Sequence, residues 1–296
     1  MNKKIAVVAL IVLALFYTGA FADQEAGSAE KDKGGPAVKP HEFVTHHKIT
    51  IGKDLLNYTT VAGEIILSDA EGTQQASIFS ISYTLDGVTN VADRPLTFVF
   101  NGGPGSSAVW LHLGGLGPKR INFPEDPVMA GGPPYQLVDN PNTILRFTDL
   151  VFVDPVGTGY SHALGKKKDS DYWGVDEDGD SIAEFIRRYL TKNKRWNSPL
   201  FLAGESYGTI RSSVLVGNLQ LKLLDSVTLN GVILISSAID VRTFAEAGSG
   251  NELHYVTNLP TYAATAYYHN VLPEKPADFD KFLQDVRTFA STEYLT

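Results

Sequence analysis

The sequence predicts an α/β fold with a mostly parallel central sheet and flanking helices. Four short runs, Leu96–Phe100, Leu150–Val153, Leu200–Ala203 and Val232–Ile235, are continuously apolar, as strands buried on both faces are. Helical patterns fall between them, which is the alternation of an α/β protein. Each of the first three runs also stops at a glycine-rich segment.

The elements follow in order. Residues 23–41 are polar and rich in Lys, Glu, Gly and Ala, and read as a flexible leader. From Glu42 the pattern becomes strand-like: His47–Ile51, Thr59–Leu67 and Ile78–Leu85 alternate around β-branched residues, with Asp86-Gly87 as a turn. These form an antiparallel lead-in. Gly114–Pro134 contains ten Gly or Pro residues and is expected as a long surface loop. Ser181 and Glu184 have capping-box spacing. After them Ile182, Phe185, Ile186, Tyr189 and Leu190 line one helical face, and Lys192, Lys194 and Arg195 mark its end. Thr209–Leu224 is a second helix. The core of the domain therefore covers residues 42–240, and residues 241–296, with Tyr255, Tyr262, Tyr267 and Tyr268, start a cap insertion.

Hydrophobic residues are 43% and charged residues 20% of the 296, ordinary globular usage. The net charge of −8 argues against nucleic acid as a partner, which would need a basic face. There is no cysteine, so disulfides, thiol nucleophiles and zinc–thiolate sites are excluded. Lys3 and Lys4 precede the apolar stretch Ile5–Tyr17, and Ala20-Phe21-Ala22 ends it. This is the pattern of a signal peptide over residues 1–22, cleaved after Ala22. Thr18, Gly19 and the Ala-x-Ala end favour cleavage over a retained anchor. A secreted or periplasmic protein without stable membrane insertion is expected.

Gly204-Glu205-Ser206-Tyr207-Gly208 follows the third apolar run and precedes a helix. A serine hydroxyl is a poor nucleophile until a base takes its proton. In the α/β-hydrolase arrangement that serine sits on a tight strand-to-helix turn, with small residues giving the backbone room. Ser206 is the candidate nucleophile. The Tyr207 N–H would face the developing oxyanion, and a second N–H should come from an earlier loop, where Gly102-Gly103 lies.

Three blocks carry a family resemblance: Asn101-Gly102-Gly103-Pro104-Gly105-Ser106-Ser107, Val153-Asp154-Pro155-Val156-Gly157-Thr158-Gly159-Tyr160-Ser161 and Gly204-Glu205-Ser206-Tyr207-Gly208. In this order they resemble the serine carboxypeptidases, from about residue 45 onward. The resemblance implies an exopeptidase that releases C-terminal residues from peptides through an acyl-enzyme. Ser206 would be the nucleophile, and the Gly103 and Tyr207 N–H groups the oxyanion hole. Asn101 and the Gly102 N–H would hold the substrate's free carboxylate, shared by Glu205 as a neutral donor, which a dry site permits. Its partners would be peptide or protein C-termini. No metal or organic cofactor is implied, and the resemblance leaves room for a homodimer. Gly115 stands before Leu116-Gly117-Pro118, where members commonly carry a second glutamate. His112, nearby, reads as a packing or solvated loop histidine.

In this fold a catalytic Asp and then a His follow the serine. Asp225 and Asp240 come too early, Asp278, Asp280 and Asp285 fall in a polar helical stretch, and His254 and His269 lie among aromatics. None has the setting of a late strand. The expectation is a chain that stops before the catalytic Asp and His, with an incomplete sheet and exposed strand edges. Two alternatives stay open: another α/β-hydrolase, such as an esterase or a prolyl aminopeptidase, and a non-catalytic secreted peptide-binding protein.

Overall fold

A computed structural model of the chain describes residues 37–124, 132–221, 225–244 and 250–295. The expected signal peptide and most of the leader lie outside these residues. The described chain begins with β1 (Glu42–Ile51), β2 (Asp54–Ser68), β3 (Gln74–Leu85) and β4 (Leu96–Phe100). A short helix α1 (Val109–Leu111) runs into a π-turn, His112–Leu116, followed by β5 (Lys119–Ile121), β6 (Leu137–Asp139), β7 (Asp149–Val153) and β8 (His162–Ala163). Helix α2 (Val175–Asn193), β9 (Leu200–Glu205), α3 (Tyr207–Gln220), β10 (Gly231–Ile235), α4 (Leu253–Tyr268) and α5 (Phe279–Thr292) complete it.

One sheet runs in the order β1-β2-β3-β7-β4-β9-β10, with β8 also paired to β3. β1, β2 and β3 are antiparallel neighbours, and β3 meets β7 antiparallel. β7, β4, β9 and β10 are then parallel throughout. The pleat explains why the central strands read as unbroken apolar runs. All five residues of β4 and of β7 are buried. Leu96, Phe98 and Phe100 join Val151, Val153 and the apolar face of α2 in one core. Val99, Leu150 and Phe152 turn the other way, into a second core with Ile49, Tyr58, Tyr83 and Leu145. Phe98 sits edge-on to Phe185 and Tyr189, with ring centres 6.4 and 5.4 Å apart. Burying such a ring stabilises the fold by about 2–3 kcal/mol.

β10 departs from the expectation of a strand covered on both faces. It is one of the two edge strands among the described residues, opposite β1, and Val232, Ile233 and Leu234 are 37, 43 and 43% exposed. Its apolar composition is that of an interior strand, and its place is an edge.

Other expectations are corrected. α2 starts at Val175, six residues before the expected cap, with Gly174 at its N-cap position. Asp176, Glu177 and Asp178 occupy its first turn, where the helix dipole favours acids. Ser181 is interior, its hydroxyl donating to the Asp178 carbonyl, and Glu184 pairs with Arg188 one turn on. α3 begins at Tyr207 rather than Thr209 because Ser206 itself is the N-cap residue. The loop over residues 114–134 contains β5, which forms a two-stranded hairpin with β6.

A buried ion cluster closes the lower end of the sheet. Asp149, 1% exposed at the start of β7, accepts from Arg94 Nε at 3.1 Å and Arg195 Nη1 at 2.6 Å. The Leu85 N–H adds a third bond at 3.0 Å. Arg195 Nη2 donates onward to the Arg94 carbonyl. No helix among the described residues is long and apolar enough to cross a membrane.

Candidate active site

The upper ends of β4, β7 and β9 bring the three glycine-rich blocks together. At the end of β9 the chain reverses in one residue. Ser206 has φ 55° and ψ −122°, a region that costs a non-glycine residue about 1–3 kcal/mol. The turn is held from both sides: the Ser206 N–H donates to the Ile235 carbonyl at 3.0 Å, and its carbonyl accepts from the Thr209 N–H and hydroxyl. Gly204 makes this reversal feasible, because a Cβ there would overlap the Gly208 carbonyl and lie 2.6 Å from Ser212 Oγ.

The loop after β4 lies directly against this elbow. A Cβ on Gly102 would overlap the Tyr207 nitrogen and sit 2.6 Å from the Glu205 carbonyl oxygen. Gly103 follows at φ 111°. Tyr207 is the first residue of α3, so its N–H has no partner within the helix, and the helix N-terminus favours negative charge. Gly102→Ala is expected to force backbone apart and to destabilise the fold by about 3 kcal/mol. Urea denaturation of the variant beside the parent checks this.

Asn101, 1% exposed, is held in one orientation. Its Oδ1 accepts from the Leu111 N–H at 3.0 Å, which turns Nδ2 towards Glu205 Oε2, also at 3.0 Å. Two residues 104 positions apart thus share one polar contact beside Ser206. The middle block is tied in through Asp154, whose Oδ1 accepts from the Ala108 N–H at 2.9 Å. Burial pushes the Asp154 carboxyl up from its ordinary range. Ser161 Oγ donates to the Asp154 carbonyl and accepts from the Phe79 N–H, fixing the loop on β3.

All six expected site residues, Asn101, Gly102, Gly103, Glu205, Ser206 and Tyr207, therefore lie on the loop after β4 and the β9–α3 elbow, which are in direct contact. Sequence reasoning missed Asp178 and Arg211, which are buried beside the same elbow and joined at 2.8 Å. A cavity of about 280 Å³ opens between Pro104, Gly105, Val156, Trp173, Tyr207 and Arg211. Among the described residues no side chain hydrogen-bonds to the Ser206 hydroxyl, and neither His254 nor His269 approaches it through any such bond. His254 packs on Tyr255, and His269 caps α4. His46 and His47 bond to Thr59 and Thr45 in the lead-in strands.

Gly115 lies in the π-turn with open space around the position of a Cβ. His112 is a packing residue: it is buried, stacks on Phe152 with centroids 4.4 Å apart, and its Nε2 lies 2.6 Å from the Tyr83 hydroxyl. Burial pushes its pKa down to about 4. Between about pH 6.5 and 4 the unfolded chain takes up this proton and the folded chain does not, so acid favours unfolding. The expected loss of stability over that window is about 3 kcal/mol. His112→Gln keeps a partner for Tyr83, and urea midpoints at the two pH values should show it free of that part of the loss.

A mixed sheet with a parallel centre, a strained serine on a strand–helix turn and a glycine-rich loop against it define an α/β-hydrolase. The serine carboxypeptidase family model matches residues 69–276, and the chain belongs to that family of peptidases. It is 33% identical over 154 residues to pheromone-processing carboxypeptidase KEX1 of Yarrowia lipolytica, covering 51% of this chain and 22% of that protein. It is 29% identical over 180 residues to serine carboxypeptidase-like 45 of Arabidopsis thaliana, covering 56% of this chain and 36% of the relative. The crystal structure of a prohormone-processing carboxypeptidase from Saccharomyces cerevisiae shares the fold, with a TM-score of 0.50 and 21% identity over 80% of this chain and 49% of that one. The chain thus spans half or less of each of these proteins.

Proposed function

We propose that this chain carries the nucleophile and carboxylate-recognition site of a serine-type carboxypeptidase. A peptide's terminal carboxylate would lie against the second Nδ2 hydrogen of Asn101 and the Gly102 N–H. Glu205, which accepts from Asn101 Nδ2, would lie beside the same carboxylate. The scissile carbonyl oxygen would enter between the Gly103 and Tyr207 N–H groups. Ser206 Oγ attacks the carbonyl carbon, its proton passing to a general base. Collapse of the tetrahedral intermediate releases the terminal amino acid, which takes that proton, and water then hydrolyses the acyl ester. Charge developing on the oxyanion would then meet these two N–H groups, and preorganised donors of that kind usually contribute more to catalysis than any other single effect.

The observation that carries this reading is the Asn101–Glu205 contact at 3.0 Å beside Ser206. An esterase has no need of a polar pair dedicated to a second carboxylate. The test is a panel of blocked dipeptides with free C-termini, their amides, and acyl esters. Release of the terminal residue from the free acids, with the amides inert, is expected. Hydrolysis confined to the esters would contradict it. On the same reading the protein is secreted or periplasmic and begins at Asp23, which N-terminal sequencing of the exported protein checks.

A further inference from the structure

Arg211 stands on the second turn of α3 and is 2% exposed. Its Nε donates to Asp178 Oδ2 at 2.8 Å, and its Nη1 donates to the Asn101 carbonyl oxygen at 2.7 Å. The guanidinium also lies against the rings of Tyr207 and Phe100, 5.2 and 5.5 Å from their centres. Asp178, 5% exposed in the first turn of α2, lines the same cavity as Tyr207. One buried cation therefore connects α2, the elbow helix and the last residue before the glycine-rich loop.

The bond to Asn101 has a directional consequence. The Asn101–Gly102 peptide is trans, so its carbonyl and N–H point in opposite directions. With the carbonyl held by Arg211, the Gly102 N–H must point away from the guanidinium. The rigid fork of arginine serves this purpose in a way a lysine cannot, because two donors at fixed separation meet two acceptors at once. The Asp178 carboxylate neutralises the cation, so Arg211 is committed to the protein.

We infer that Arg211 is a positioning residue for recognition of the substrate's terminal carboxylate: it orients the Asn101–Gly102 peptide, and Asp178 orients Arg211. This rests on the assignment of Asn101 and Gly102 to that carboxylate. Neither Arg211 nor Asp178 touches the substrate.

The test is calorimetric titration of the full chain carrying Ser206→Ala with a blocked dipeptide acid and with its C-terminal amide. The parent is expected to prefer the acid. Adding Arg211→Lys keeps a cation opposite Asp178 but loses the fork. The preference for acid over amide should fall by about tenfold, with amide affinity and thermal midpoint little changed. The neutral pair Asp178→Asn with Arg211→Gln guards against an unpaired buried charge and should show the same loss. Retention of the full preference in both variants overturns the inference, as does a parallel loss of acid and amide binding, which a merely structural role would give. A parent that binds acid and amide equally overturns the carboxypeptidase reading itself, a result distinct from any change between parent and variant.

Discussion

Ser206→Ala is expected to abolish release of a C-terminal residue, with a loss in kcat of about 10⁶-fold where a general base activates the hydroxyl, while leaving the fold intact. The two effects separate because the residue's structural work is done by its backbone. The Ser206 N–H bonds to Ile235 and its carbonyl to Thr209, and alanine retains both. The φ of 55° strains alanine as it strains serine, so the thermal midpoint should stay near that of the parent. Binding of a peptide acid should also survive, since Asn101 and Glu205 are untouched. A variant that retains substantial hydrolysis would remove Ser206 from the chemistry, and one that unfolds would show that the hydroxyl itself supports the elbow.

The largest effect on stability is expected at the opposite end of the sheet. Asp149→Ala leaves Arg94 and Arg195 facing each other without their shared carboxylate. Their side chains are 9 and 5% exposed. Breaking a buried ion pair from one side costs about 3–5 kcal/mol, and here two cations lose their counterion. Against a typical total of about 5–15 kcal/mol that is a large share. Equilibrium urea unfolding of parent and variant gives the number, and a loss below about 1 kcal/mol would mean that water reaches the cluster. Lys281–Asp285 on α5 offers a contrast: both side chains there are more than half exposed, and removing that pair should leave the urea midpoint close to the parent's.

The parallel core was legible in the sequence because its strands are covered on both faces. Leu96–Phe100 and Leu200–Ala203 could be only strands or short buried helices, and the glycines after them decide the matter. The same kind of run at Val232–Ile235 shows the strand but not its surroundings, since composition records what a strand is suited to and not what lies beside it. Ser181-x-x-Glu184 has the spacing of a cap yet falls inside α2. The acidic run Asp176-Glu177-Asp178 is the true start signal, and its fit to the helix dipole outweighs the weaker pattern. The site follows similar lines. Asn101, Gly102, Gly103, Glu205, Ser206 and Tyr207 belong to local motifs, and that these motifs lie together is what the sequence could anticipate. Arg211 and Asp178 have no local signature, because the bonds that place them beside the elbow span 110 and 33 positions. Asp154 lies within the middle glycine-rich block, but its hold on the Ala108 N–H depends on how β4 and β7 are paired.

At the centre of the proposed chemistry, the elbow presents Ser206 as a nucleophile to an oxyanion site made by Gly103 and Tyr207. Reaction of the chain with a fluorophosphonate probe, followed by peptide mapping, tests this most directly, because the phosphonyl oxygen occupies the place of the oxyanion. One adduct is expected, on the peptide containing Ser206 and absent from Ser206→Ala, and its formation would correct the expectation of a chain without its general base. A folded protein that forms no adduct at Ser206, or carries it on another serine, would contradict it.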